Sequence, residues 1–421
     1  MINSAPAPRL FAVSRPLAEL PGPAELVAHA DPHDPLLWLR GDRGCVGVGE
    51  VLRLTFAGED RFAEVARGWR ALTERAVVDD PIELPGSGLI AFAALAFADG
   101  SRALSTLIVP RFVISRHGEA AWVTEIRAEP ISTEPVLPAP PEPGAWNGVE
   151  LPIETPDPDY LRGVAEATER IDRKEIEKVV LARPVRGWIG SGDDLRTPLA
   201  RLASRYEDCW TFAVDGLVGA SPETLIRRTE GIVSARVLAG TRGRKADPAA
   251  DARARDELFS SPKEQHEHAF AVQSVVTALG PHVHELQCNE QPFALKLPNV
   301  WHLATDVRAV PSRSASSLEL AEALHPTAAV AGTPTRAAIE AIAELEPFDR
   351  ERYAGAVGWI DADGDGEWVI ALRCAQLGDD EDGQRSVTAY AGGGILADSD
   401  PQREFGETVS KLRPIAEAFS A

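Results

Sequence analysis

Residues 157–183 read DPDYLRGVAEATERIDRKEIEKVVLAR, a helix signal running directly into a strand signal. Asp157-Pro158 has the form of an N-cap followed by proline at the first helical position, where the missing N–H costs nothing. Leu161, Val164, Ala165, Thr168 and Ile171 then recur at helical spacing. The segment Lys178–Arg183 has a β-branched centre and reads as a buried strand with Lys178, Val180 and Ala182 on one face. A lysine that opens an apolar strand is either an edge gatekeeper or a functional amine.

Outward from this segment the same alternation continues. Strands are predicted at 210–218, 225–228, 232–238, 355–360, 367–372 and 386–390, and helices at 251–259, 262–279, 317–324, 336–343 and 401–419. Helices mixed with hairpins predict an α+β fold, not a doubly wound parallel sheet. On the N-terminal side, nine prolines fall between Pro130 and Pro158, and so donor-poor a segment cannot form a continuous helix or central strand. This seam separates a strand-rich region, 1–148, from a second region, 157–421. In the first, strands are expected at 36–39, 44–54, 89–97, 103–114 and 120–126, with few helices.

The chain carries 43 basic and 64 acidic side chains, a formal net charge of −21. That field repels nucleic acid and anionic membranes, and no basic patch opposes it. The longest apolar run, Leu89–Ala98, is too short to cross a bilayer, and the N-terminus lacks the apolar core of a signal peptide, so a cytoplasmic protein is expected. Cys45, Cys209, Cys288 and Cys374 are widely spaced, without the pairing of a zinc site or disulfide framework.

Three motifs fail on their own chemistry. The run Asp361–Gly366 imitates a calcium loop, but its twelfth position is Leu372 instead of the required Glu; it reads as a hairpin turn. His266-Glu267-His268 lacks a second histidine four residues after the first, since position 270 is Phe. Ala391-Gly392-Gly393-Gly394 follows a strand but leaves too little chain for a dinucleotide-binding unit. Its glycines still allow a close approach of backbone amides to an anion.

Two acidic stripes remain. Ser261-Pro262-Lys263-Glu264 is a capping-box signature, which places Glu264 and Glu267 on one face of the first turns of a helix. Asp400-Pro401 starts a second helix with Glu404, Glu407 and Lys411 on one stripe. If the stripes face one another, their oxygens suit a hard cation such as Mg²⁺. Such pairs also arise by chance on solvated faces of so acidic a chain, as at Glu166 and Glu169. Taken alone, Glu223 reads as a turn carboxylate and His302 as a core histidine.

As an ordered set, KVVLAR, GASPETL, VLAGTRGR, SPKEQHEH, WHLATDV, LHPTAAVAGTP, ELEPFDRERYAGAVGW, GEWVIALRCAQL and AGGGILADSDPQREFGETVSKL resemble the chorismate-utilising enzymes, and most closely the isochorismate synthases. The resemblance covers residues 157–419. It implies one integrated α+β unit of two stacked, mainly antiparallel sheets with helices outside. It also implies chorismate as substrate and Mg²⁺ as cofactor, with Glu267 and Glu407 as direct ligands and Glu264 and Glu404 on metal-bound water. Lys178 would be the general base and Glu223 the general acid. Gly240, Thr241, Tyr390, Arg373, Gly392, Gly394 and Lys411 would hold the substrate carboxylates, and His302 and Ala329 would line the pocket.

Within that group, anthranilate synthases carry glutamine where Lys178 stands, and aminodeoxychorismate synthases carry lysine where Ala239 stands. Neither pattern is present, so no amidotransferase subunit is expected; the resemblance implies a monomer. Salicylate synthases usually have threonine at the position of Ala329, so the alanine favours an enzyme that stops at isochorismate. The alternatives are a salicylate synthase and a silent chorismate-binding module. The segment HPTAAVAGTP leans towards menaquinone synthesis over catechol siderophores.

Overall fold

The computed structural model describes residues 8–296, 300–312 and 315–421. Among these, twenty strands join through one continuous network of pairings, and every pairing but one is antiparallel, the exception being Phe11–Pro16 with Val77–Asp79. The network has two arms. One runs through Arg43–Phe56, Leu36–Arg40, Trp210–Val214, Leu217–Ser221, Cys374–Glu381, Gln384–Ile395 and Lys178–Gly190. The other runs through Ile90–Ala94, Ala356–Asp361, Gly366–Ile370, Thr224–Thr229, Ile232–Gly243 and Val300–Pro311. Strand Ser105–His117 pairs with both arms. Of two apolar cores among the described residues, the one containing Trp38, Phe212, Phe92, Val357 and Trp368 takes side chains from each arm, the stacked arrangement of an α+β fold. The proline seam does not isolate what precedes it: Leu37–Leu39 pair with Thr211–Ala213, and Ile90–Ala94 with Val357–Asp361.

The helix predicted after Asp157 runs from Pro158 to Asp172, and the Asp157 carboxylate accepts from the Asp159 and Tyr160 N–H groups. It buries Tyr160, Gly163, Val164 and Ala167. The following strand is longer than predicted, Lys178–Gly190, and continues through Pro184. The proline is tolerated because the N–H groups of Val180 and Ala182 already point away from the Gln384–Ile395 neighbour, to Ala331 O and Glu346 Oε1. By alternation the missing donor at 184 faces the same outer edge.

Other expectations need correction. The stretch 210–218 is two strands turned at Asp215-Gly216, where φ is +52° and +74°, the backbone that an Asp-Gly hairpin turn requires. The glycine run lies inside the strand Gln384–Ile395 instead of after it. The N-terminal region, expected to have few helices, contains Pro23–His29 and Arg61–Thr73, while the helix Arg196–Arg205 was not predicted. The hairpin at Asp361–Gly366 and the helices Pro262–Leu279 and Pro401–Phe419 stand where predicted. Among the described residues no helix is long and apolar enough to cross a membrane, and all four cysteines are free thiols.

Candidate active site

Lys178 is the first residue of its strand and is half-buried. Its side chain lies over Gly394 of the lateral strand, where a Cβ would stand 2.9 Å from Lys178 Cε. Burial pushes the lysine pKa below its ordinary value, opposed by the carboxylates of Glu267 and Glu223 and reinforced by the Lys411 ammonium. Glu223 sits in the turn between Leu217–Ser221 and Thr224–Thr229. Its N–H donates to Ser221 Oγ at 3.2 Å and its carbonyl accepts from the Ile370 N–H at 3.1 Å, which fixes the turn. Burial raises the Glu223 pKa, against the cations Arg373, Lys178 and Lys411. A lysine and a glutamate far apart in sequence thus share one electrostatic neighbourhood, and each is shifted towards its neutral form.

Arg373 lies just before strand Cys374–Glu381 in the left-handed region, φ +49°, and its carbonyl accepts from the Ala220 N–H at 3.1 Å. That anchor holds its side chain within the field of Glu223. Lys411 reaches back from the C-terminal helix, donating to the Gly392 carbonyl at 2.8 Å and pairing with Glu407 at 2.5 Å. Strand Gln384–Ile395 is flanked by Cys374–Glu381 only as far as Tyr390, whereas its pairing with Val179–Gly190 continues to Ile395. Since the Gly392 carbonyl turns to Lys411, the N–H groups of Gly392 and Gly394 point to the same open edge, two donors beside the lysines.

Each acidic stripe reaches a neighbour of this edge: Glu267 lies within the field of Lys178, and Glu404 and Glu407 approach Gly393. Ser261 caps the helix Pro262–Leu279 by accepting from the Glu264 N–H at 3.4 Å, and the Glu264 carboxylate is directed at Gly240, with Oε2 3.1 Å from where a Cβ there would be. Gly240 occupies a bulge with φ +76°, a backbone that glycine adopts without strain. The carbonyl of Gly240 is 3.3 Å from His302 Nδ1, and burial lowers the His302 pKa, so the ring is neutral at pH 7. On the other stripe, Glu404 is buried while Glu407 is exposed. Ser399 Oγ donates to Glu404 Oε1 at 2.9 Å. Burial and the Glu407 charge raise the Glu404 pKa, whereas the Ser399 hydrogen bond lowers it.

Tyr390 is buried two residues before Gly392, its ring stacked on Tyr353 and its hydroxyl donating to Glu351 Oε2 at 3.3 Å. Ala329 is exposed in a turn, and the backbone just beyond it borders the lysine strand, with Gly332 paired to Val179 and Thr333 to Lys178. The Thr241 side chain lies outside the described residues. Tyr160 and Ser399 went unnoticed in the sequence. Ser399 lies five residues before Glu404 within a turn, and Tyr160 reads locally as a core aromatic.

Among the described residues no three His, Cys, Asp or Glu side chains stand close enough together to enclose an ion. The four carboxylates expected to form a cation site are therefore hard oxygen donors on two helices that the structure does not bring together into one assembled site. Their donor chemistry, carboxylate oxygen, fits a hard ion such as Mg²⁺. A separate cavity of about 50 Å³, walled by Trp38, Trp122, Trp210 and Trp359, shares none of these residues.

The family model for chorismate binding enzymes matches residues 4–131 and 140–420. The isochorismate synthase DhbC of Bacillus subtilis (strain 168) is 40% identical over 282 residues, covering 64% of this chain and 69% of its own length. The salicylate biosynthesis isochorismate synthase of Pseudomonas aeruginosa is 32% identical over 412 residues, 92% of this chain and 85% of that protein. The crystal structure of DhbC from Bacillus anthracis superposes with a TM-score of 0.70 at 33% identity. It covers 93% of this chain and 98% of that one.

Proposed function

The chain belongs to the chorismate binding enzymes, and on that premise we propose that it isomerises chorismate to isochorismate, for menaquinone or catechol siderophore synthesis. Water adds at ring carbon C2 and the C4 hydroxyl leaves from the other end of the conjugated system. The neutral Lys178 amine takes the proton of the attacking water as the C2–O bond forms, and neutral Glu223 delivers a proton to the departing C4 oxygen as that bond breaks. Lys178 then holds a proton that Glu223 has lost, and exchange with solvent restores both.

The observation that carries this reading is the placement of Lys178 and Glu223, from distant parts of the chain, in one electrostatic neighbourhood, where burial lowers the lysine and raises the glutamate. Each shift runs towards the form that the group's role demands. Arg373, Lys411 and the Gly392 and Gly394 N–H groups supply positive charge and donors for two carboxylates, which an acidic protein must concentrate locally. Glu267 and Glu407 would hold Mg²⁺, with Glu264 and Glu404 on its waters. When bound, the ion supplies charge neutralisation for the ring carboxylate.

Incubation with chorismate and Mg²⁺, followed by chromatography of the products, tests the reading. Isochorismate is expected to accumulate with no pyruvate. Pyruvate released in step with chorismate loss would make the protein a salicylate synthase, and no turnover at all would leave a binding module.

A further inference from the structure

We propose that Tyr160 is a positioning residue for the acidic pair of the C-terminal helix, its phenol donating to Glu404 once the pair holds a hydrated divalent cation; the inference rests on the Mg²⁺-dependent reading above. Tyr160 is only 5% exposed, and its hydroxyl is buried without a hydrogen-bond partner. A buried hydroxyl left unpaired is unfavourable, and native folds retain few of them. The surroundings of this one point to what would satisfy it.

A Cβ built on Gly393 would stand 3.2 Å from Glu404 Oε2, 3.6 Å from Tyr160 Oη and 3.9 Å from Glu407 Oε1. Three oxygens from two different helices therefore converge on one point beside a strand residue with no side chain. The two Glu404 oxygens are divided between partners: Oε1 takes the Ser399 hydroxyl, and Oε2 faces the shared point. A phenol is protonated at neutral pH and offers one proton. The ammonium of Lys411 already balances Glu407 from 2.5 Å, so the charge left beside the phenol is that of Glu404, whose Oε1 takes only the Ser399 hydroxyl. A divalent cation at the pair balances that charge, and the phenol then fixes the orientation of Glu404 Oε2, as groups behind metal ligands commonly do.

A phenol-to-phenyl change keeps the ring contacts, so Tyr160→Phe isolates the hydroxyl. In protein stripped of metal with EDTA, the melting temperature of the variant is expected to equal or exceed that of the wild type, because an unpaired buried group has gone. Calorimetric titration with MgCl₂ in the presence of chorismate is expected to show affinity weaker by about ten- to a hundredfold, with kcat at saturating Mg²⁺ within about twofold of wild type. Mg²⁺ affinity within twofold of wild type would overturn the proposal. So would a fall of several degrees in the metal-free melting temperature, since the hydroxyl would then be bonded without the ion. A wild-type protein that binds no Mg²⁺ would remove the underlying reading and this proposal together, and is told apart by the absence of any heat before a variant is made.

Discussion

Replacing Lys178 with methionine is expected to lower kcat by about a hundred- to ten-thousandfold, the usual contribution of a positioned base, without lowering the melting temperature at pH 7. Methionine has nearly the same length and needs no hydration, so the packing against Gly394 survives while the nucleophilic water loses its proton acceptor. The stability half follows from the sign of the shift. The folded state lowers the lysine pKa, so it binds that proton less readily than the unfolded chain does. The cost is fully present below the lowered value and disappears as the pH rises above the ordinary lysine range. Removing the amine therefore stabilises the fold at neutral pH, and the gain shrinks towards alkaline pH. Glu223 is the mirror case, since its raised pKa imposes a cost above that value which vanishes below the ordinary glutamate range. Activity and stability moving in opposite directions is a signature of groups kept for function. Steady-state kinetics and thermal denaturation on the same preparation check both halves, and normal turnover by Lys178→Met would refute the base.

Chelation is expected to have an effect of comparable size. Dialysis against EDTA should reduce turnover by more than about a hundredfold, in line with the several kcal/mol of charge stabilisation a divalent ion supplies, and added Mg²⁺ should restore it. The physical reason is the concentration of negative charge. In the proposed reaction a dianion binds near Lys178, within the field of Glu267 on one helix and beside a strand approached by Glu404 and Glu407 on another. Lys411 is already engaged with Glu407 and the Gly392 carbonyl, so it cannot balance that charge alone. Metal content by elemental analysis, measured beside activity, makes the comparison quantitative. Turnover undiminished in metal-free protein would remove the glutamates from the reaction.

The parts of this fold that were legible in the sequence are those whose causes are local. Asp157, Ser261 and Asp400 each cap the helix predicted after them through a side-chain oxygen, and each is followed by proline, so both signals lie within four residues. Helix Arg61–Thr73 was also legible in principle, since Phe62, Val65, Ala66, Trp69 and Leu72 are buried at helical spacing, but its arginines and glycine masked the stripe. Strand Val283–Cys288 was not legible: only Val283 of it is buried, so it carries no alternating pattern, and its existence depends on pairing with Val300–Pro311.

The candidate site divides in the same way. Lys178 stood out because a charge opens an apolar run, and the acidic stripes because helical spacing puts them on one face. That Lys178, Glu223, Arg373 and Lys411 share a neighbourhood rests on strand pairings between residues about two hundred positions apart, as where Gly394 meets Val180. The ordered motif set stood in for that geometry. Tyr160 had no such proxy: nothing in its own segment distinguishes a core aromatic from one whose hydroxyl ends beside Glu404.

The central claim is that water attacks one end of the ring while hydroxide leaves the other, driven by a neutral lysine and a neutral glutamic acid. Turnover of chorismate in ¹⁸O-enriched water, with the isochorismate analysed by mass spectrometry early in the reaction, tests it most directly. The account predicts one solvent oxygen in the product, at the C2 hydroxyl. Isochorismate free of solvent label would mean that the original hydroxyl migrates within the substrate, and would contradict the roles given to Lys178 and Glu223.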